Sequence, residues 1–187
     1  MRISLRLRPV ARPAMLRRDR RGTVLVEFAV MLPVMLVLWM GSLQIEDGIA
    51  CNRKVTIATR AVADLVAQNV SGSVAASDLD SNLAAATQVL APYPAGAASI
   101  RITEVTTDAT LKTTVQWSRG YNAVAAVPGQ VVTIPVAMRI PGAYFLFAEV
   151  TYAYKPPMNF GFVGPLKLGD SLYMLPRNSN KIDCTGC

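Results

Sequence analysis

The feature that most constrains this chain is an apolar stretch, residues 23–43, that contains a single charged residue, Glu27. Its 21 residues, at about 1.5 Å of helical rise each, extend roughly 31 Å, close to the thickness of a bilayer's hydrocarbon core. The sequence therefore predicts a helix that crosses a membrane once. A carboxylate inside such a helix costs on the order of 2 kcal/mol or more unless it is paired, neutralised or near the interface. Glu27 is thus either a functional residue within the span or a residue close to the membrane–water interface.

The residues before this stretch predict its orientation. Residues 1–22 contain eight arginines and one acidic residue, Asp19, and their net charge of +7 equals the formal charge of the whole chain. Short arginine-rich flanks stay on the cytoplasmic side, so we expect the N-terminus inside and the C-terminus outside. No basic stripe with interleaved aromatic residues follows, and nucleic-acid binding is therefore not expected.

A basic segment followed by an apolar run also describes a secretory signal peptide. This run is longer than a usual signal-peptide core, and small residues suited to an export cut are poorly placed after it. Residues 48–51 have some similarity to a lipoprotein cleavage site, but Gly48 stands where Leu is expected, and Glu46 and Asp47 precede it. A retained membrane anchor therefore explains the pattern better than either signal.

The N-terminal pattern resembles the processing site of type IV pilin-like proteins, because Gly22 precedes an apolar helix with Glu27 at its fifth position and Phe28 at its sixth. The longer string Gly-Thr-Val-Leu-Val-Glu-Phe-Ala-Val-Met-Leu-Pro, residues 22–33, with Gly41 beyond it, is similar to TadE/TadG-like pseudopilins of the tight-adherence (Flp) pilus system. The resemblance is concentrated in residues 20–48. Major Flp pilins are very short and usually carry Glu-Tyr, so the Glu-Phe pair and the long C-terminal domain here favour a minor pseudopilin.

The resemblance implies that a prepilin peptidase cleaves after Gly22 and leaves Thr23 as the mature N-terminus. Glycine suits that position because it has no Cβ to obstruct the protease, although it could simply break the chain between tail and helix. Glu27, with Phe28 beside it, would dock against neighbouring subunits by pairing with the amine of another subunit's first residue. The implied partners are the inner membrane, the prepilin peptidase, pilin and other pseudopilin subunits, and the pilus assembly platform.

Pro33 lies at the eleventh residue of the predicted mature helix. Its ring and its missing N–H loosen or kink a helix, and membrane spans tolerate proline because neighbouring groups satisfy the freed carbonyl. We expect either a kink that helps the segment leave the bilayer for a helical bundle or a proline that is merely tolerated.

Beyond the span, apolar residues recur at helical spacing and predict an amphipathic extension over residues 44–70 that packs on the protein's own sheet. The positions near this spacing are Ile45, Ile49, Ala58, Ala61, Val62, Leu65, Val66 and Asn69. A break at residues 71–73 precedes a second helix with Ser77 as its N-cap, which ends before residues 92–94. Residues 71–187 are expected to form one periplasmic α+β domain with a Pro/Gly-rich C-terminal arm.

Segments with β-branched residues and alternation predict an antiparallel sheet of about four strands, at residues 99–106, 111–118, 131–140 and 144–154, and the resemblance implies that this sheet is pilin-like. Pro135 places the third strand at an edge or a bulge. The tail from Lys155 is predicted to be an ordered loop or extended arm. Aromatic residues in this last third either fill the core over the sheet or form a protein-binding surface. They are Tyr144, Phe145, Phe147, Tyr152, Tyr154, Phe160, Phe162 and Tyr173.

The chain has three cysteines and no histidine. Cys184 and Cys187 are separated by two residues, and in an oxidising periplasm we expect a disulfide between them that leaves Cys51 over. The alternative is that Cys51 joins one of them or bridges subunits. Without histidine, the usual nitrogen and sulfur ligands of a structural zinc site are incomplete, so we expect no metal and no cofactor.

Enzyme motifs such as a phosphate-binding loop or GxSxG are absent from the sequence, so we do not expect an enzyme. The first hypothesis is a minor pseudopilin that acts in assembly of a tight-adherence pilus. The second is an unprocessed single-span subunit of the same inner-membrane apparatus. The third, from another class, is a membrane-tethered periplasmic thiol oxidoreductase that uses Cys184 and Cys187.

Overall fold

The computed structural model describes residues 21–157 and 164–187, so most of the basic leader and the aromatic residues Phe160 and Phe162 lie outside the described residues. The chain divides into two compact units between Leu43 and Gln44. Helix α1 (Arg21–Ala67) begins in the first unit and ends in the second. One continuous helix therefore holds both the predicted membrane span and its predicted extension.

Helix α1 ends at Ala67, somewhat earlier than the predicted residue 70. The Asn69 N–H donates to the carbonyl of Val66 at 3.1 Å, and the Asn69 side chain donates to the carbonyl of Ser73 at 2.9 Å. Gly72 then takes a φ of 70°, a left-handed conformation that glycine adopts without a steric penalty. These contacts turn the chain out of the helix.

The second-unit part of α1 buries a stripe at helical spacing, which agrees only in part with the predicted face. The stripe comprises Cys51, Val55, Ala58, Val62 and Val66. The prediction was wrong for Ile45, Ile49 and Leu65, which are exposed, and Ala61 and Asn69 are only half-buried. At 3.6 residues per turn, Ile45 and Ile49 fall on one side of this stripe and Leu65 falls on the other, so none of the three faces the core.

The second helix, α2 (Ala76–Ala86), follows a short strand, β1 (Ser73–Ala75). Ser77 lies inside this helix and Ala75 occupies the N-cap position, so the predicted cap was wrong. The reason is that β1 pairs in parallel with β7 (Asp183–Thr185), which keeps the chain extended up to Ala75. The helix consequently begins without a side-chain cap.

The main sheet contains five antiparallel strands in the order β4-β3-β2-β5-β6. They are β2 (Ala98–Thr107), β3 (Thr113–Tyr121), β4 (Val131–Val132), β5 (Tyr144–Tyr154) and β6 (Leu166–Met174). The α+β class and the predicted strands at 99–106 and 144–154 are confirmed, and the strand predicted at 111–118 is present with shifted ends.

Two predictions about the rest of the sheet were wrong. The third strand covers only Val131–Val132, because Pro135 lacks the N–H that a continued ladder needs and instead precedes a short 3₁₀ turn, Val136–Met138. The tail from Lys155 contains strand β6, which was predicted to be a loop or arm. Gly169 pairs opposite Thr151 in this strand, so glycine there does not interrupt pairing.

The sheet carries an apolar cluster on each face, as strand alternation places them. One face packs against α1 and α2. The cluster there contains fully buried Ile100 and Ile102 from β2 and Leu79 and Leu83 from α2, each contributing roughly 2 kcal/mol. The opposite face carries the smaller cluster Val105, Val115, Ile134 and Phe145. Tyr152 and Tyr154 are also buried, so these aromatic residues fill the core.

Candidate functional site

The first unit contains the residues assigned to processing and docking. Gly22 and Thr23 lie in the first turn of α1, and Glu27 and Phe28 lie in the next turn. Residues 22–39 are all exposed. An apolar surface of this size is unfavourable in water and suits a lipid environment or a bundle of like helices. By length and composition, α1 can cross a membrane once.

Two details of this segment bear on the proposed processing. Gly22 is helical and has open space around it, since a Cβ added there meets no atom within 4 Å. Because glycine has a low helix propensity, Gly22 contributes little to the stability of this first turn. Pro33 lies inside α1, and the helix continues on both sides of it.

A cluster of tyrosines around Asp47 fixes α1 within the second unit. The Tyr154 hydroxyl donates to Asp47 Oδ2 at 2.7 Å, and the Tyr93 hydroxyl donates to Asp47 Oδ1 at 3.0 Å. Burial, followed by the hydrogen bond to the Asp47 carboxylate, raises the pKa of Tyr93 to about 12 and also raises the pKa of Tyr154. Both phenols therefore stay protonated as donors, and the cluster stabilises the contact between α1 and the sheet.

Cys51 lies beside this cluster and is fully buried and free. Burial, and then the negative charge of Asp47, raise the pKa of the Cys51 thiol to about 11. Since the thiolate is the reactive form, this residue behaves as a small core side chain and does not act as a nucleophile or a bridge between subunits.

Glu104 is a buried carboxyl group that joins the sheet to the C-terminal segment. Glu104 is only 1% exposed. Its Oε1 accepts a hydrogen bond from the Ile182 N–H at 2.8 Å, and its Oε2 accepts one from Trp117 Nε1 at 2.9 Å. Trp117 Nε1 also donates to the Ile182 carbonyl at 2.6 Å. Burial raises the pKa of Glu104 to about 7, although the two N–H donors act in the opposite direction.

The two terminal cysteines form a disulfide, Cys184–Cys187, at the end of this segment. Cys184 lies in β7 opposite Val74 of β1, so the bond closes a small loop beside the two-stranded sheet. Over residues 21–157 and 164–187, no group of three or more His, Cys, Asp or Glu side chains is placed to hold a metal ion.

The structure brings together some groups that the sequence analysis did not single out. Glu104 shares a strand face with Ile100 and Ile102, so the two-residue period places it in the core, and that signal was readable in the sequence. The Asp47 cluster has no local signal, because Asp47, Tyr93 and Tyr154 lie far apart in the chain. Gly22, Thr23, Glu27 and Phe28 lie in the first two turns of one helix.

Comparisons with known proteins give no match for this chain: no protein-family model, no curated protein and no solved structure matches it. A functional proposal therefore rests on the residues and their arrangement.

Proposed function

We propose that this chain is a minor pseudopilin of the TadE/TadG-like type, trimmed after Gly22 by a prepilin peptidase and active in assembly of a tight-adherence pilus for surface attachment. The supporting observation is one continuous helix with two different parts. Its exposed apolar part carries a single carboxylate, Glu27, at the fifth position after Gly22. Its other part is a core helix of an α+β unit, which would be the pilin-like domain.

The role of Glu27 follows from electrostatics. Cleavage after Gly22 removes the arginine-rich leader and creates a positive amine at Thr23. In a bundle of apolar helices, that amine and the Glu27 carboxylate of a neighbouring subunit form an ion pair in a low-dielectric environment. Removing one partner leaves the other unpaired, which is strongly unfavourable. The pair thus sets the position of one subunit against the next, and Phe28 packs beside it.

The compartment and orientation follow from charge and from the cysteines. The arginine-rich leader keeps the N-terminus in the cytoplasm, so the α+β unit lies in the periplasm beyond the inner membrane. The Cys184–Cys187 disulfide suits an oxidising compartment. Cys184 lies in strand β7, whereas reactive thiols gain from a helix N-terminus that lowers their pKa. The disulfide therefore favours a structural role over a thiol oxidoreductase.

The proposal is tested by Glu27→Gln in cells that lack the unmodified chain, with Glu46→Gln as the matched control. Glu46 is an exposed carboxylate on the same helix, outside the predicted span. We expect Glu27→Gln to reach the membrane at a normal level but to lose piliation and adherence, because the neighbouring amine has no carboxylate to pair with. Glu46→Gln retains both. Normal piliation and adherence with Glu27→Gln would contradict the docking role.

A further inference from the structure

A cavity of about 250 Å³ lies on the face of the sheet opposite the α1 core. Strands β2, β3, β5 and β6 contribute to its lining, together with residue 126 and residues 132–134, which run from β4 into the chain after it. It belongs wholly to the second unit and involves none of the residues assigned to cleavage or docking. Its chemistry is therefore a separate question from the pseudopilin proposal.

Part of the cavity lining is apolar. The rings of Phe147 and Tyr173 stack with their centroids 4.3 Å apart and an interplanar angle of 20°. Buried Val105 and Ile134 lie beside them. These groups provide a rigid surface for the C–H groups of a ligand, as in most small-molecule pockets.

The polar groups that line the cavity have hydrogen-bonding capacity that the protein does not use. Arg101 donates through Nε and Nη2 to one carboxylate oxygen of Glu149, Oε2. Within the described part of the chain, Glu149 Oε1, Thr133 Oγ1 and Tyr173 Oη have no hydrogen bond to protein, and Arg101 Nη1 makes only a long one, 3.4 Å, to the Val124 carbonyl. The cavity thus offers an acceptor, a cationic donor and two hydroxyls that can do either.

The charges in the cavity select against ionic ligands. The Arg101 guanidinium and the Glu149 carboxylate form an ion pair, so neither an anion nor a cation finds an uncompensated opposite charge. The Glu149 charge also contributes, after burial, to raising the pKa of Tyr173, which keeps that phenol protonated. A purely apolar occupant is disfavoured as well, because it would cut these polar groups off from water without replacing their hydrogen bonds.

We propose that this cavity binds one neutral monosaccharide unit. A sugar ring combines an apolar C–H face with several hydroxyls that donate and accept, which matches the mixture of apolar and polar groups in the cavity lining. The volume lies just below the range of about 300–1,000 Å³ that drug-sized ligands occupy, so it suits a single ring. The ring packs on Phe147 and Ile134, and its hydroxyls bond Glu149, Thr133 and Tyr173.

The test uses the full chain in a detergent without a sugar headgroup and measures binding by saturation-transfer NMR. The probes are glucose, galactose, mannose and N-acetylglucosamine, with glucuronate as an anionic comparison. We expect at least one neutral sugar to bind, with a Kd on the order of 1 mM, and glucuronate to bind more weakly than glucose. Failure of all four neutral sugars to bind, or preferential binding of glucuronate, would overturn the proposal.

Variants locate the binding. Thr133→Val and Tyr173→Phe each remove one hydroxyl with little change in shape, and each should weaken sugar binding about fivefold. Thr151→Val is the matched control, since Thr151 lies on β5 and does not line this cavity. Far-ultraviolet circular dichroism confirms that each variant is folded. Undiminished binding by a folded double variant, Thr133→Val with Tyr173→Phe, would place the sugar elsewhere and overturn the assignment.

Discussion

The buried carboxyl group of Glu104 is expected to make the stability of the second unit depend on pH. Its oxygens accept hydrogen bonds from Ile182 and Trp117, so it connects strands β2 and β3 to the C-terminal segment. It is also removed from water, which disfavours its ionised form. Replacing Glu104 with Gln removes the titrating group and keeps its size.

The magnitude follows from the shift in pKa. The pKa of Glu104 is raised from 4.5 to about 7, mainly by burial, and this difference corresponds to about 3 kcal/mol. Because the folded state holds the proton more tightly than the unfolded chain, the stabilisation is complete below pH 4.5 and is lost as pH rises through 7. The chain has no histidine, so no imidazole titrates in this pH range. The pKa values of Asp80 and Asp108 are lowered, so these two carboxyl groups stay ionised between pH 5 and 8 and do not contribute to the change.

The assay is urea unfolding of the full chain in micelles at pH 5, 6, 7 and 8. The chain has two tryptophans, and a Trp39→Phe background leaves Trp117, which contacts Glu104, as the fluorescent reporter. We expect the free energy of unfolding to fall by about 2 to 3 kcal/mol from pH 5 to 8. Glu104→Gln should flatten this dependence, whereas Glu46→Gln should preserve it. A flat or rising profile in the parent chain, or an unchanged slope in Glu104→Gln, would refute the reasoning.

Two further variants test the contacts that hold the second unit together. The double variant Cys184→Ser with Cys187→Ser should lower the free energy of unfolding by about 2 kcal/mol, because the disulfide no longer closes a short loop in the unfolded chain. Urea unfolding under non-reducing conditions measures this difference. Equal stability of the parent chain and the variant would mean that the disulfide contributes nothing. Tyr154→Phe removes the 2.7 Å hydrogen bond to Asp47 and should cost roughly 2 kcal/mol in the same assay. Little change is expected for the control Tyr121→Phe, because Tyr121 is a half-buried tyrosine whose hydroxyl makes no hydrogen bond within the described residues.

Much of the fold was predictable from local pattern. The apolar helix was visible as an uninterrupted stretch, and strands β2 and β5 were visible as runs of β-branched and aromatic residues. Strand β6 was missed because the Pro and Gly content of the tail was taken to outweigh the apolar alternation of Leu166, Leu168, Leu172 and Met174. The third strand was overextended because the valine-rich composition of its segment was weighted above Pro135.

The candidate sites likewise include one that the sequence indicated and one that it did not. Gly22, Thr23, Glu27, Phe28 and Pro33 could be proposed from the sequence because the roles proposed for them depend on spacing along one helix. The cavity could not be identified, since its polar groups come from distant parts of the chain: Arg101 from β2, Tyr173 from β6 and Thr133 from just after β4. They meet only when the strands of the sheet pair. Long-range register has no local signature in a single sequence.

The central claim is that the chain is processed after Gly22 and then assembles as a pseudopilin. The most direct measurement is the N-terminal sequence of the protein isolated from membranes of cells with and without the prepilin peptidase. The account predicts a start at Thr23 that disappears when the peptidase is absent. A retained leader in both strains would contradict it and favour an unprocessed membrane-anchored subunit, while a start at or after Ala50 would mean that the apolar helix is an export signal.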